Sequence, residues 1–194
     1  MKYNLSEITE IIKNRRTIYP EFYTSRKVHK EIIEHLIRNA IWAPNHGKTE
    51  PWRFKVYSDD SRSILSEKLG DLYQKLTPKE LFKEEKLVKI KARPFLSSVV
   101  IVVCMERGNN EKIPVIEEVE AVACAVQNMS LTATAYGLGS FWSTPKVIYS
   151  PEMNEFLNLK EEDKCIGIFY IGYPSEKWPR SRRKPIQLVT EWFH

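Results

Sequence analysis

Apolar residues recur along this chain with two periods, and the switching between them outlines the elements. Leu5, Ile8, Ile11 and Ile12 share one face of a helix over residues 5–14. After an irregular, aromatic stretch over residues 18–27, Ile32, Ile33, Leu36, Ile37, Ala40 and Ile41 do the same from about His29 to Ile41. Trp52, Phe54 and Val56 then alternate with polar residues as far as Ser58, which predicts a strand. Residues 60–92 read as helical, with Leu65, Leu69, Leu72, Leu76 and Leu81 as anchors among interspersed Lys and Glu. Ser97–Met105 is a continuous β-branched run, as in a strand covered on both faces. Beyond a polar loop from Glu106 to Pro114, the longest helix spans residues 115–136. Its buried stripe is Val119, Val122, Ala123, Val126, Met129 and Ala133, and Gly137 and Gly139 close it in the manner of a C-cap. Ser140–Pro145 reads as a short turn or strand, Ser150-Pro151 as a helix start, and Cys165–Tyr173 as a second buried strand. Pro174–Pro185 is basic and irregular, and Ile186–Phe193 alternates as a terminal strand or arm. Long helical stretches between few strands favour three layers around a mixed sheet, and 194 residues are most simply one domain, 1–194.

Composition narrows the functional classes. With 42% hydrophobic and 28% charged residues the chain is of ordinary globular type and not disordered. The net charge of +5 suits anionic ligands such as phosphates but is too dispersed to argue for nucleic acid. No apolar run is long enough to span a bilayer and the N-terminal residues lack an apolar signal core, so the expectation is a cytoplasmic protein without a membrane partner. Cys104, Cys124 and Cys165 are far apart in apolar sequence, an odd count without CxxC spacing. This argues against zinc and against a disulfide framework, and for three buried small hydrophobes. His29, His35, His46 and His194 show no metal-ligand spacing, and His35 falls on the polar stripe of its helix. Glu117, Glu118 and Glu120 open the long helix, where they complement its dipole. Gly137-Leu138-Gly139 is no dinucleotide fingerprint, and Walker A, HExxH and GxSxG motifs are missing, so any chemistry falls to a cofactor.

Two stretches carry candidate chemistry. Arg15, Arg16 and Thr17 follow the first helix, and two guanidinium forks beside a hydroxyl can hold a phosphate, although a solvated helix end explains them equally. Trp42 to Phe54 is a polar loop between Pro44 and Pro51, with Pro51 biasing Glu50 toward an extended conformation. Indoles of Trp42 and Trp52 flank an amide, an imidazole, an ammonium, a hydroxyl and a carboxylate, which suits a flat polar ligand. A plain helix-to-strand connection accounts for the same residues.

The order and spacing of these segments resemble the nitroreductase family, FMN-dependent NAD(P)H oxidoreductases, and most closely its short members. The resemblance runs along essentially the whole chain. It is carried by Asn14-Arg15-Arg16-Thr17, Ala43-Pro44-Asn45-His46, Pro51-Trp52-Arg53-Phe54, the buried Val/Ile strand, the Ala-rich helix ending Gly137-Leu138-Gly139, Phe141-Trp142-Ser143-Thr144, and Ile171-Gly172-Tyr173-Pro174 before Arg183-Lys184-Pro185. It implies an α+β fold with a central mixed sheet flanked by helices, and a homodimer with FMN at the subunit interface, the C-terminal arm packing on the partner. It also implies that Arg15, Arg16 and Thr17 bind the flavin, that Trp42 and His46 reach the partner's flavin, and that Trp142, Ser143 and Thr144 line the isoalloxazine. Arg183 would hold the phosphate, and Thr132, Ala133, Thr134, Ala135, Tyr136 and Gly137 match a stretch assigned to NAD(P). Three positions depart from the family pattern: Thr17 stands where Ser is usual, and Trp42 and Ser143 stand where relatives can carry Arg, which bears on substrate choice. The implied reaction is ping-pong hydride transfer from NADH or NADPH to a small-molecule acceptor such as a nitroaromatic or quinone. Rival readings are a flavin-fragmenting or dehalogenating enzyme of the same fold, a flavin-binding redox sensor, and a non-catalytic basic protein binding nucleic acid through the arginines of residues 180–184.

Overall fold

The structure is a computed structural model that describes residues 3–193; Met1, Lys2 and His194 lie outside the described residues. Six helices and four strands form it: α1 (Leu5–Asn14), α2 (Lys30–Ala40), β1 (Trp52–Ser58), α3 (Ser61–Leu76), α4 (Glu84–Leu96), β2 (Val99–Met105), α5 (Val115–Ala135), β3 (Gly139–Ser143), α6 (Pro151–Phe156) and β4 (Lys164–Gly172). The sheet order is β1-β2-β4-β3. Both faces are covered, which is why β2 is a run of apolar residues and is buried throughout. Ile101, Val103, Met105, Phe169 and Ile171 pack in one cluster with α2 and α5. Val100, Val102, Cys104, Ile168 and Tyr170 pack in a second with α3, α4 and α6. The three-layer α+β architecture is therefore present.

The sheet itself differs from the mixed one expected. All three strand pairings are antiparallel, and the parallel component is one isolated bridge, Thr17 to Ser140. The crossover from β2 through α5 to β3 does make those two strands parallel. However, β4 inserts between them and pairs antiparallel to each. β4 also carries a bulge: Val103 faces Gly167 and Cys104 faces Cys165, leaving Ile166 as the extra residue.

Local chemistry explains most element ends. Asn4 caps α1 by accepting from the Ser6 and Glu7 N–H groups at 3.1 and 3.3 Å. The helical stretch of residues 60–92 breaks in two, because Pro78 holds Thr77 extended. Leu76 and Leu81 flank that break and are exposed instead of anchoring the core. Gly137, at φ 70°, ends α5: its N–H donates to Thr134 O at 3.0 Å and the Leu138 N–H to Ala133 O at 2.8 Å. The expected α6 start is also present, with the Ser150 hydroxyl accepting from Met153 N.

Two apolar surfaces are left uncovered. No residue of α1 is buried, although Leu5, Ile8 and Ile12 share its apolar face. Residues 186–193 form no strand; they make a short 3-10 turn and an arm whose Ile186, Leu188, Val189, Trp192 and Phe193 are exposed. Cys104 and Cys165 are buried as expected, but Cys124 is exposed, on the outward stripe of α5 with Ile116 and Glu120.

Candidate functional site

The end of α1 builds the cationic half of the site. Arg15 turns the chain out of the helix, and Thr17 and Ile18 run beside β3, where Ile18 N donates to Ser140 O at 3.0 Å. The basic C-terminal segment folds back onto this turn. Arg16 donates through Nε to Pro179 O at 2.8 Å and through Nη1 to Arg15 O at 2.9 Å, and Trp178 Nε1 donates to Asn14 O. Burial, then the nearby Arg183, then Arg16, push the Arg15 guanidinium below its ordinary value. None of these three arginines has an ion-pair partner among the described residues. Cations that repel one another and meet no carboxylate suit an incoming anion, and a phosphate accepts such forks in pairs.

β3 joins this cluster to the segment expected to line a ring. From Ser140, beside Thr17, to Thr144 the strand direction covers about 13 Å at ~3.3 Å per residue. At its end Trp142 lies against the backbone of Gly167 in β4, so closely that a Cβ on Gly167 would fall 2.6 Å from Trp142 Cδ1. Trp142 and Thr144 stand between two cavities. One, of about 540 Å³, has Phe141, Ser143 and Tyr170 on one wall and Lys83, Lys86, Lys89 and Arg93 of the α4 region on the other. The second, of about 490 Å³, also meets Val119, Asp163, Lys164 and Cys165.

Trp42 and His46 join neither cavity. Trp42 is 84% exposed. The His46 ring nitrogen Nδ1 lies 2.6 Å from Glu117 Oε2 in the first turn of α5. Thr17 borders the strand that follows the other end of that helix, about 30 Å away for 21 residues at ~1.5 Å each. Within one chain the arginine cluster and His46 are thus held apart. Trp52, expected beside the ligand, is a buried core residue. Glu50 is not extended but has φ 46°. Its N–H is taken by Asn45 Oδ1 at 3.1 Å and its carbonyl by Arg53 Nη1 at 2.9 Å, which together hold the reversal before β1.

The stretch expected to meet NAD(P) uses its polar groups internally. Thr132 Oγ1 donates to Asn128 O and accepts from Asn39 Nδ2 at 3.0 Å, Thr134 Oγ1 donates to Ser130 O, and the Tyr136 hydroxyl meets His35 Nδ1 at 2.6 Å. Ala133 is fully buried, and Ala135 and Tyr136 border a largely apolar groove of about 430 Å³ with Ile8, Ile11, Ile12 and Leu131.

Four residues around the site carry no signal that motif reading would notice. Glu118, expected to complement a helix dipole, is instead 1% exposed and holds Arg107 Nη1 at 2.7 Å and Gly108 N at 3.1 Å. Arg107 also donates through Nη2 to Ile113 O, and its N–H to Asp163 Oδ1 at 2.8 Å. This buried network fixes the loop of residues 106–114 against the start of α5, beside His46. Gly167, which seats Trp142, is the fourth. Only a period-2 strand interrupted by glycine hints at a close approach of that kind.

Known proteins resemble the chain along its whole length. The protein provisionally named NAD(P)H nitroreductase YfhC of Bacillus subtilis (strain 168) is 28% identical over 94% of this chain and 92% of its own. A nitroreductase-like family protein from Bacillus cereus superposes with a TM-score of 0.81 at 29% identity, covering 100% of this chain and 98% of its own. A provisionally named nitroreductase from Desulfovibrio desulfuricans, solved in complex with FMN, gives a TM-score of 0.70 at 26% identity with both chains covered completely. The model of the nitroreductase family itself matches residues 12–173, from the end of α1 to the residue after β4, and the chain belongs to that family.

Proposed function

We propose that this protein is an FMN-dependent oxidoreductase that draws reducing equivalents from NADH or NADPH and delivers them to small acceptors of the nitroaromatic or quinone type. The observation that carries the reading is the unpaired cluster of Arg15, Arg16 and Arg183, joined by one short strand to Trp142, Ser143 and Thr144. An elongated ligand with a phosphate at one end and a flat polar ring at the other fits that arrangement. The FMN-bound relative and the NAD(P)H-linked name of the Bacillus subtilis relative support it.

FMN, when bound, supplies a two-electron centre that alternates between nicotinamide and acceptor in a ping-pong sequence. The chain's own work is binding and electrostatics. Arg15 and Arg183 hold the phosphate, and Thr17 bridges to Ser140 of the strand along which the ligand runs, while Arg16 braces the turn through the Arg15 and Pro179 carbonyls. Trp142, braced on Gly167, forms one wall of the ring site, while the Ser143 and Thr144 hydroxyls offer hydrogen bonds to its edge. Cationic groups and backbone N–H donors near the ring favour the anionic reduced form.

The functional unit in this reading is a homodimer with one FMN at each of two interface sites. Trp42 and His46, which are exposed and line neither cavity, are assigned to the partner's site by the resemblance to the family. The exposed stripe of α1, the groove it forms with Leu131 and Ala135, and the apolar C-terminal arm supply self-complementary surface. The test is to add FMN to purified protein, remove the excess, and add NADH or NADPH without oxygen. Retained flavin absorbance that bleaches is the expected result. Protein that stays colourless would sink the proposal.

A further inference from the structure

Beyond the flavin site, two thiols face each other in the sheet. The register of β2 and β4 sets Cys104 directly against Cys165. The bulge makes this possible. Its extra residue, Ile166, packs with the α5-side cluster, and the parity change turns Cys165 to the other face, into the cluster that holds Cys104. Both side chains therefore leave the sheet on the same side. Directly opposed residues on antiparallel strands have Cα atoms ~4.5–5.5 Å apart, inside the ~4.4–6.8 Å span of disulfides. The pairing thus meets the Cα spacing a disulfide requires, and in this structure both thiols are free. Each feels the other: contact with Cys165 holds the Cys104 thiol below its ordinary value, with Lys55 adding to the effect, while Cys104 and burial push Cys165 up. Cys165 also borders the cavity of about 490 Å³ that reaches Trp142 and Thr144, which is ample for a molecule the size of hydrogen peroxide.

We propose that Cys104 and Cys165 are a redox-active dithiol that a hydroperoxide entering this cavity converts to a reversible disulfide. The Cys104 sulfur, set against Cys165 beside the cavity, attacks the peroxide, the O–O bond breaks, and a sulfenic acid and one water (or alcohol) result. The Cys165 sulfur then displaces the sulfenic oxygen as a second water, forming the S–S bond. Two thiols thus lose two electrons and two protons, and one peroxide is reduced. The lowered Cys104 thiol suits this attacking role.

The test uses full-length Cys124→Ser protein, which removes the exposed third thiol. After hydrogen peroxide, thiols titrated in denaturant should fall from two per chain to none. A non-reducing peptide map should show one species linking Cys104 to Cys165, and dithiothreitol should restore both thiols. Adding Cys165→Ser should leave Cys104 as a sulfenic acid that dimedone traps. Should that double variant fail to fold, the thiol count and peptide map on Cys124→Ser decide alone. Two thiols that survive peroxide, or oxidation to sulfinic acid without a linked peptide, would overturn the inference. Neither readout depends on flavin, so it stands or falls apart from the proposed oxidoreductase activity.

Discussion

Gly167 and Trp142 show how one missing side chain sets the shape of a site. The indole occupies the space a Cβ would take, so Gly167→Ala must expel it or shift β4. Overpacking of this kind costs about 1–3 kcal/mol. FMN affinity should fall at least about tenfold, read by flavin fluorescence titration, with a lower urea midpoint. In the proposed site Arg15 acts through its charge. Losing one charge-assisted hydrogen bond, worth about 1.5–3 kcal/mol, should raise the FMN Kd of Arg15→Ala by about 10- to 150-fold, and added salt should narrow the gap from wild type. Glu118 has a different task. Glu118→Ala leaves Arg107 buried without its partner, which should cost about 3–5 kcal/mol in denaturant unfolding. That pairing was not legible in the sequence. Three glutamates at a helix start read as dipole complements, and the partner arginine lies in an upstream loop with no periodicity to mark which carboxylate faces inward. Cys124 failed for a related reason: its immediate neighbours, Ala121 to Val126, are all apolar and do not say which side of that stretch meets solvent.

At the scale of elements, the legible features were those decided locally. Periodic patterns located α1, α2, α5 and β1, continuous apolar runs located β2 and β4, and Gly137, Ser150 and Pro151 marked ends that the hydrogen bonds bear out. Features decided by other elements were not legible. Pro78 splitting α3 from α4 was a local signal overridden by the run of leucines, and the insertion of β4 between β2 and β3 depends on all three strands. The stripe on α1 was read correctly as apolar, yet none of it is fully buried among the described residues. Under the proposed dimer, Ile12→Glu and Leu131→Glu should each turn a dimer into a monomer in sedimentation velocity. The stability of the monomer itself should change little, as expected at exposed or half-exposed positions. A variant that remains dimeric would move the interface away from this face.

For the whole molecule, the family was legible because its segments are spread along the chain in a fixed order, each of them weak alone. The candidate site was legible in part. Arg15 to Thr17 were singled out by residue type and Trp142 to Thr144 by the resemblance, and the structure joins them through β3. Trp42 and His46 were singled out as well, but they are exposed and line neither cavity beside Trp142, and in the proposed dimer they serve the partner's site. The central claim is therefore that the flavin site is shared between two subunits. FMN titrated into the Leu131→Glu variant, which keeps every proposed binding residue, tests this most directly. The account predicts that this monomer fails to bind FMN at concentrations that saturate the wild-type dimer. Binding by the monomer with wild-type affinity would contradict it.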